Sequence, residues 1–232
     1  MGDDDAAHDQ PQAPERHGQG GYPPRPESVG PDRVVGVGPH PRPWPNGEGY
    51  DPVLLAEGDR RNVADEFRYL TVEEIRARLD ERRSPLHVGI ENWQHDLNIG
   101  SVVRTANAFN VEAVHIIGRR DWNRRGAMVT DRYLHVLHHP GPAAFAGWCA
   151  ERGVPVIGVD NIAESVPLEG CALPDPCALL LGQEGPGLSE EAQQICSLIV
   201  HVTQHGSTRS INASAAGAIA MWAWMRQHGP QP

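Results

Sequence analysis

There is no lysine in this chain of 232 residues; all twenty basic residues are arginine. A phosphate-binding P-loop is therefore excluded, because its signature ends in Lys followed by Ser or Thr. The bias reads as a property of a GC-rich source, since selection for bidentate phosphate contacts would not remove every surface lysine. The four cysteines, Cys149, Cys171, Cys177 and Cys196, form no CxxC pair, which points to reduced intracellular thiols. No apolar run approaches the length of a membrane span. The opening MGDDDAAHDQ lacks the basic-then-apolar order of a secretory signal, so a cytoplasmic protein is expected. No GxSxG nucleophile elbow occurs. His201 and His205 have HxxxH spacing without the Glu of a zincin, and His201 falls in a strand. His135, His138 and His139 are expected to share one helix face, yet no partner carboxylate is evident and no metal is expected.

What is present divides unevenly. Residues 1–50 hold ten prolines and nine glycines with almost no aliphatic runs, too little apolar surface to offset the entropy of ordering them. A disordered tail is expected there, followed by a helical extension over 51–85 and an enzyme-sized domain over 86–228. The tail carries eight acids and four arginines, the rest 22 acids and 16 arginines, giving −4 and −6 of the total −10. An acidic body argues against a general nucleic-acid coat protein, whose affinity comes from neutralising phosphates. It leaves room for an enzyme with one basic patch.

Along the body, Thr71 and Glu74 have capping-box spacing and Leu70 with Ile75 that of a hydrophobic staple, predicting a helix over 72–83 that stops at Ser84-Pro85. Strands are predicted at 86–90, 113–118, 154–160, 177–182 and 198–203. Between them fall helices from Asp96 or Asn98 to Phe109, over 142–152 and over 189–197, with a last one over 211–227. Strands that are nearly all apolar and alternate with helices indicate a parallel α/β sheet covered on both faces. The last helix is apolar on two sides, Ile211, Ala215, Ala218 and Trp222 on one and Ala220, Met221 and Trp224 on the other, so burial on more than one face is expected. A second copy of the chain or the 51–85 segment would serve.

Three segments place glycines and polar groups where ligands bind in such sheets, beyond the carboxyl ends of strands. They are Asn98-Ile-Gly-Ser-Val-Val-Arg104, Gly182-Gln-Glu-Gly-Pro-Gly-Leu188 and Ser210-Ile-Asn-Ala-Ser214. Taken singly each has an ordinary structural reading: a solvated helix arginine, a strand–turn–helix link, and a helix cap.

Taken together, in this order, they resemble the three motifs of the SpoU (TrmH-like) family of RNA ribose methyltransferases in the SPOUT superfamily. Asn98, Gly100 and Arg104 are similar to the first motif, Gly182, Glu184, Gly187 and Leu188 to the second, and Ser210-Ile-Asn-Ala-Ser-Ala-Ala to the third. The resemblance covers residues 86–227. It implies a trefoil-knotted α/β fold, a homodimer, and S-adenosyl-L-methionine held by Leu181, Gly182, Gly187, Val202, Ile211, Asn212 and Ser214. Where the family has a proline after the position of Val202, this chain has Thr203.

The same resemblance implies catalytic roles for Arg104, Asn98, Glu184, Ser210 and Asn212, acting on a ribose 2′-hydroxyl. A guanidinium stays protonated near neutrality, so Arg104 suits binding of a neighbouring phosphate and stabilisation of a developing alkoxide better than proton abstraction. RNA contacts are expected from Arg119, Arg120, Arg124, Arg125 and Arg132, and less from the arginines at 76–83. The compact body leans toward transfer RNA over ribosomal RNA. The competing readings are a non-catalytic RNA-binding relative and a methyltransferase acting on a nucleobase.

Overall fold

The computed structural model describes residues 36–94 and 98–229. Most of the expected tail lies outside the described residues, as does Asp96 as a helix cap. Residues 36–50 do not follow the expectation of disorder. Val37 bridges Asp59 and Tyr50 bridges Leu70, both antiparallel, so packed structure begins near Gly36. The anchor is Asp59, fully buried and ion-paired to Arg61 at 2.7 Å. Burial alone would raise its pKa, but the Arg61 side chain and the amides of Tyr69 and Arg61 outweigh that and hold it at about 2.

Two short helices open the extension. Helix α1, Pro52–Glu57, starts with proline at its first position behind an Asp51 cap. Helix α2, Val72–Asp80, starts at Thr71, whose hydroxyl accepts from the Glu74 amide at 3.1 Å. Only half of the capping box forms. The Glu74 carboxylate pairs with Arg78, and the Thr71 amide instead donates to the Gly49 carbonyl. Leu70 and Ile75 are buried as the staple requires, in a small cluster with Phe67 and Tyr133.

The main domain is a seven-stranded sheet in the order β3-β2-β1-β6-β4-β7-β5, and every pairing is parallel. Its strands are β1 Ser84–Asn92, β2 Val111–Gly118, β3 Val136–His139, β4 Val156–Val159, β5 Val166–Pro167, β6 Cys177–Leu181 and β7 Leu198–His201. The expected α/β class holds, with two strands beyond the five read from the sequence. Helices α3 (Asn98–Ala108) and α6 (Ala213–His228) cover one face, where Ile99, Val102, Val103, Met221 and Trp224 meet Val88, Ile90 and Leu179. Helices α4 (Pro142–Ala150) and α5 (Glu190–Ile195) cover the other through Phe145, Cys149 and Ala192.

Strand β3 corrects the histidine expectation. Residues 136–139 are extended, so His138 and His139 point to opposite faces and share no helix side. His138 reaches the Gly118 carbonyl at 2.8 Å, His135 pairs with Asp80 at 2.9 Å, and His139 goes into the core. There its Nε2 lies 2.9 Å from His115 Nδ1, and His115 Nε2 lies 3.2 Å from His87 Nδ1. One histidine from each of three adjacent strands thus forms a buried chain of imidazoles against Phe145 and Trp148. Among the described residues no group of three or more His, Cys, Asp or Glu is placed to hold a metal.

Candidate active site

The carboxyl ends of β6, β4 and β7, neighbours in the sheet, open into a cleft of about 250 Å³. Leu181 and Gly182 end the first strand, Val159 and Asp160 the second, and His201 and Val202 the third, and all of them line it. Ser210, Ile211 and Asn212 close the cleft on the way into α6. Of the residues expected around a cofactor, Leu181, Gly182, Gly187, Val202, Ile211 and Asn212 line this cleft. Ser214 does not: its hydroxyl and amide both donate to Asn212 Oδ1, so it serves the helix cap.

The loop after β6 is built on glycine because its backbone folds onto itself. Gln183 and Gly187 exchange both amide–carbonyl hydrogen bonds at 3.0 Å, and Gly185 and Gly187 have φ of +91° and +73°. A Cβ on Gly182 would lie 2.1 Å from the Gly187 carbonyl carbon, so no side chain is tolerated there. Two acids fasten the loop. Asp160 accepts from the Leu188 amide at 2.8 Å. Glu91, fully buried at the end of β1, accepts from the Ser189 amide and hydroxyl at 2.8 Å each and from the Trp93 indole.

The three motif segments touch. The Asn98 amide donates to the Glu184 carboxylate, and the Asn212 amide donates to Asn98 Oδ1 at 2.8 Å. Asn212 Oδ1 in turn accepts from the Ser214 and Ala215 amides and so caps α6. One hydrogen-bonded chain therefore fixes the start of α3, the glycine loop and the start of α6 with respect to one another. Ser210 lines the cleft but makes no such link.

Gly100 has a packing reason instead: a Cβ there would meet the Gly126 Cα at 2.7 Å, where the arginine-rich segment crosses α3. That segment contains two 3-10 turns at Arg124–Ala127 and Thr130–Tyr133. Arg119, Arg120, Arg124, Arg125 and Arg132 are all exposed along it, and Arg124 pairs with Asp131 at 3.3 Å.

Arg104 stands apart. It is exposed on α3, six residues and so roughly 9 Å along the axis from Asn98. It does not line the 250 Å³ cleft but a second one, against the N-terminal extension. Among the described residues it has no hydrogen bond or ion pair.

The cleft has the donor set of a cation site. Its lining includes the carboxylates of Asp160 and Glu184 and no arginine. Gln183 and Gln204 also line it, and the side-chain oxygen of each is buried with no donor among the described residues. A sulfonium compound with an ammonium group, an amino-purine and ribose hydroxyls fits such a lining, whereas a phosphate does not. Thiol chemistry is not available from Cys149, Cys177 or Cys196, because burial pushes each up to about 12.

Several of these groups carry no local sequence signal. Asp160 reads only as the last residue of a predicted strand and Gln204 as an ordinary loop residue. Thr203 departs from the family proline, yet its amide and hydroxyl donate to Glu169 at 2.9 and 3.0 Å, which fixes the turn in another way.

Residues 85–222 match the family described as the SpoU rRNA Methylase family. An "Uncharacterized tRNA/rRNA methyltransferase" of Mycobacterium ulcerans is 30% identical over 170 residues, 69% of this chain and 53% of the relative. The chain spans about half the length of such curated relatives. In fold it is similar to the A. aeolicus TrmH/SpoU tRNA modifying enzyme, with TM-score 0.60 at 22% identity over 67% of this chain and 81% of the other. It is also similar to the SpoU methyltransferase AviRb of Streptomyces viridochromogenes in complex with AdoMet, with TM-score 0.56 at 24% identity over 63% and 58%.

Proposed function

The chain belongs to the SpoU rRNA methylase family, and from that premise we propose that it is an S-adenosyl-L-methionine-dependent RNA methyltransferase acting on a ribose 2′-hydroxyl in the cytoplasm. The observation that carries the reading is the hydrogen-bonded chain Asn212–Asn98–Glu184 beside a cleft lined by Asp160 and Glu184. When bound, the cofactor would supply an electrophilic methyl group. Asp160, Glu184, Gln183 and Gln204 would hold its cationic and N–H-bearing parts, with Gly182 letting it approach the backbone. Asn98 and Asn212 keep Glu184 and the Ser210 loop in place. Positioning of this kind supplies much of the rate for an in-line transfer. Arg104 would hold the RNA phosphate and stabilise the oxygen as it loses its proton. Arg119, Arg120, Arg124, Arg125 and Arg132 would engage the backbone further out. Transfer RNA is the first candidate substrate, in line with the transfer-RNA enzyme of similar fold.

The test is transfer of label from S-adenosylmethionine into total transfer RNA and ribosomal RNA in parallel, followed by nucleoside analysis. Label in a 2′-O-methyl nucleoside is expected. Label in a base would overturn the acceptor, and neither label nor cofactor binding would overturn the enzyme.

The reading includes a homodimer. Helix α6 buries Gly217, Ala220, Met221 and Trp224 within the chain but leaves Ala215, Ile219 and Trp222 in a stripe at helical spacing, with Trp222 52% exposed. A second copy covering that stripe would account for the second apolar side of the helix. Arg104 lies outside its own chain's cofactor cleft, so association would also supply that cleft with an arginine. Sedimentation of the intact protein is expected to give a dimer at micromolar concentration, and a stable monomer would remove this part of the reading.

A further inference from the structure

The second cleft, about 670 Å³, separates the N-terminal extension from α3 and is large enough for a ligand of drug-like size. Its walls are the 62–67 segment and α2 on one side and Arg104, Asn107 and Asn110 on the other. Two of its charges cancel, since Arg82 pairs with Glu66 at 2.6 Å. Asn110 is spent on the wall itself, donating to the carbonyls of Leu79 and Arg82 and accepting from Arg83.

Besides the Tyr133 hydroxyl, three polar groups of the lining are left over. Arg104 and the exposed Asn62 have no hydrogen-bond partner among the described residues, and Asn107 Oδ1 is buried without one. Arg104 and Asn107 are three residues apart on α3 and so lie on the same side of the helix. A buried carbonyl oxygen without a donor weakens the free protein unless a water or a ligand supplies one. The combination of one unpaired guanidinium and two unpaired amides has a specific chemical fit. Guanidinium binds phosphate, and asparagine amides match the donor–acceptor edges of bases.

We propose that this cleft seats the RNA nucleotide adjoining a ribose held in the cofactor cleft of a second copy of the chain, with Asn62 and Asn107 reading its base while Arg104 holds the intervening phosphate. The inference rests on the RNA methyltransferase reading above and assigns the N-terminal extension a share in choosing the substrate. Single-stranded RNA is the form that fits, because its base edges are free for hydrogen bonding.

The experiment is filter retention of total transfer RNA and of ribosomal RNA by the intact chain, over a salt series, for the wild type, Asn62→Ala and Asn107→Ala. Each variant is expected to weaken retention of the substrate pool about fivefold to tenfold, as loss of one hydrogen bond would. The slope of affinity against salt should stay unchanged, because amides neutralise no phosphate. Arg104→Ala should instead reduce that slope by about one. Affinity for S-adenosylmethionine, measured by calorimetry on the same samples, should not move in the asparagine variants. Wild-type retention with both variants within twofold of it would overturn the cleft assignment and leave the methyltransferase reading standing. Retention of neither pool by the wild type would overturn both. Asn62 is exposed, so its variant decides the matter even if Asn107→Ala fails to fold.

Discussion

Arg104→Ala is expected to lower methyl transfer to RNA by about 100- to 1,000-fold, the usual cost of removing one positioned donor from a developing oxyanion. Affinity for S-adenosylmethionine should remain as in the wild type. The split follows from placement. Arg104 lines the cleft beside the extension, and none of its atoms borders the cleft at the ends of β6, β4 and β7. Arg104→Lys should recover little of the loss. An ammonium keeps the charge but not the planar fork that can hold phosphate and ribose oxygen together. Single-turnover assays at saturating cofactor, with calorimetry for cofactor affinity, read the two quantities separately. Near-normal turnover in Arg104→Lys would overturn the bidentate role. A loss of cofactor affinity in Arg104→Ala would mean that the guanidinium binds the cofactor itself and not only the RNA.

Much of this frame was legible in the residues because its causes are local. Strands β1, β2, β4 and β6 are largely buried runs such as Cys177-Ala-Leu-Leu-Leu181, and a parallel strand covered on both faces has to read that way; β7 is apolar over Leu198–Val200 though only Val200 is buried. The caps at Thr71 and Ser189 need only a hydroxyl three residues before an amide. The two edge strands were missed for physical reasons. Half of β3 is histidine, and β5 is only Val166-Pro167, both exposed. The motif segments were legible as a set, but what joins them was not. Asn98 meets Glu184 across 86 residues and Asn212 across 114, and Glu91 reaches Ser189 across 98. No window on the sequence contains both ends of such bonds. The same holds for Arg104, whose neighbours in the extension become visible only when residues 62–67 fold back onto α3.

The buried histidines predict a second large effect, a loss of stability in mild acid. Burial holds His87 at about 4, with repulsion from Arg152 adding to it. His115 is held at about 2, by burial first and then by His87, His139 and Arg152. His139 is lowered in the same direction, by burial and by His138. In the unfolded chain each would titrate near the ordinary value of about 6.5. Below that pH the unfolded state binds protons that the folded state refuses, so stability is full above about 6.5 and falls as the pH drops toward the folded values. At pH 5 each of His87 and His115 would cost about 2 kcal/mol. Their sum is a large part of the roughly 5–15 kcal/mol that keeps a domain folded.

The window separates this effect from the acids. Asp59, held at about 2 despite burial, loses its contribution only below its ordinary value of 3.8, and Asp80 and Glu169, also lowered, act in the same low range. Between pH 6.5 and 4.5 the histidines act alone among the groups with shifted titration. Urea melts at pH 7.5, 6.0 and 5.0 should show the midpoint falling steeply across that range. His115→Gln, which can still hydrogen-bond but does not titrate, should be less stable than the wild type at pH 7.5 and lose less on going to pH 5. An equal loss in both proteins would place the acid sensitivity elsewhere. The imidazole chain would then be only a packed link between β1, β2 and β3.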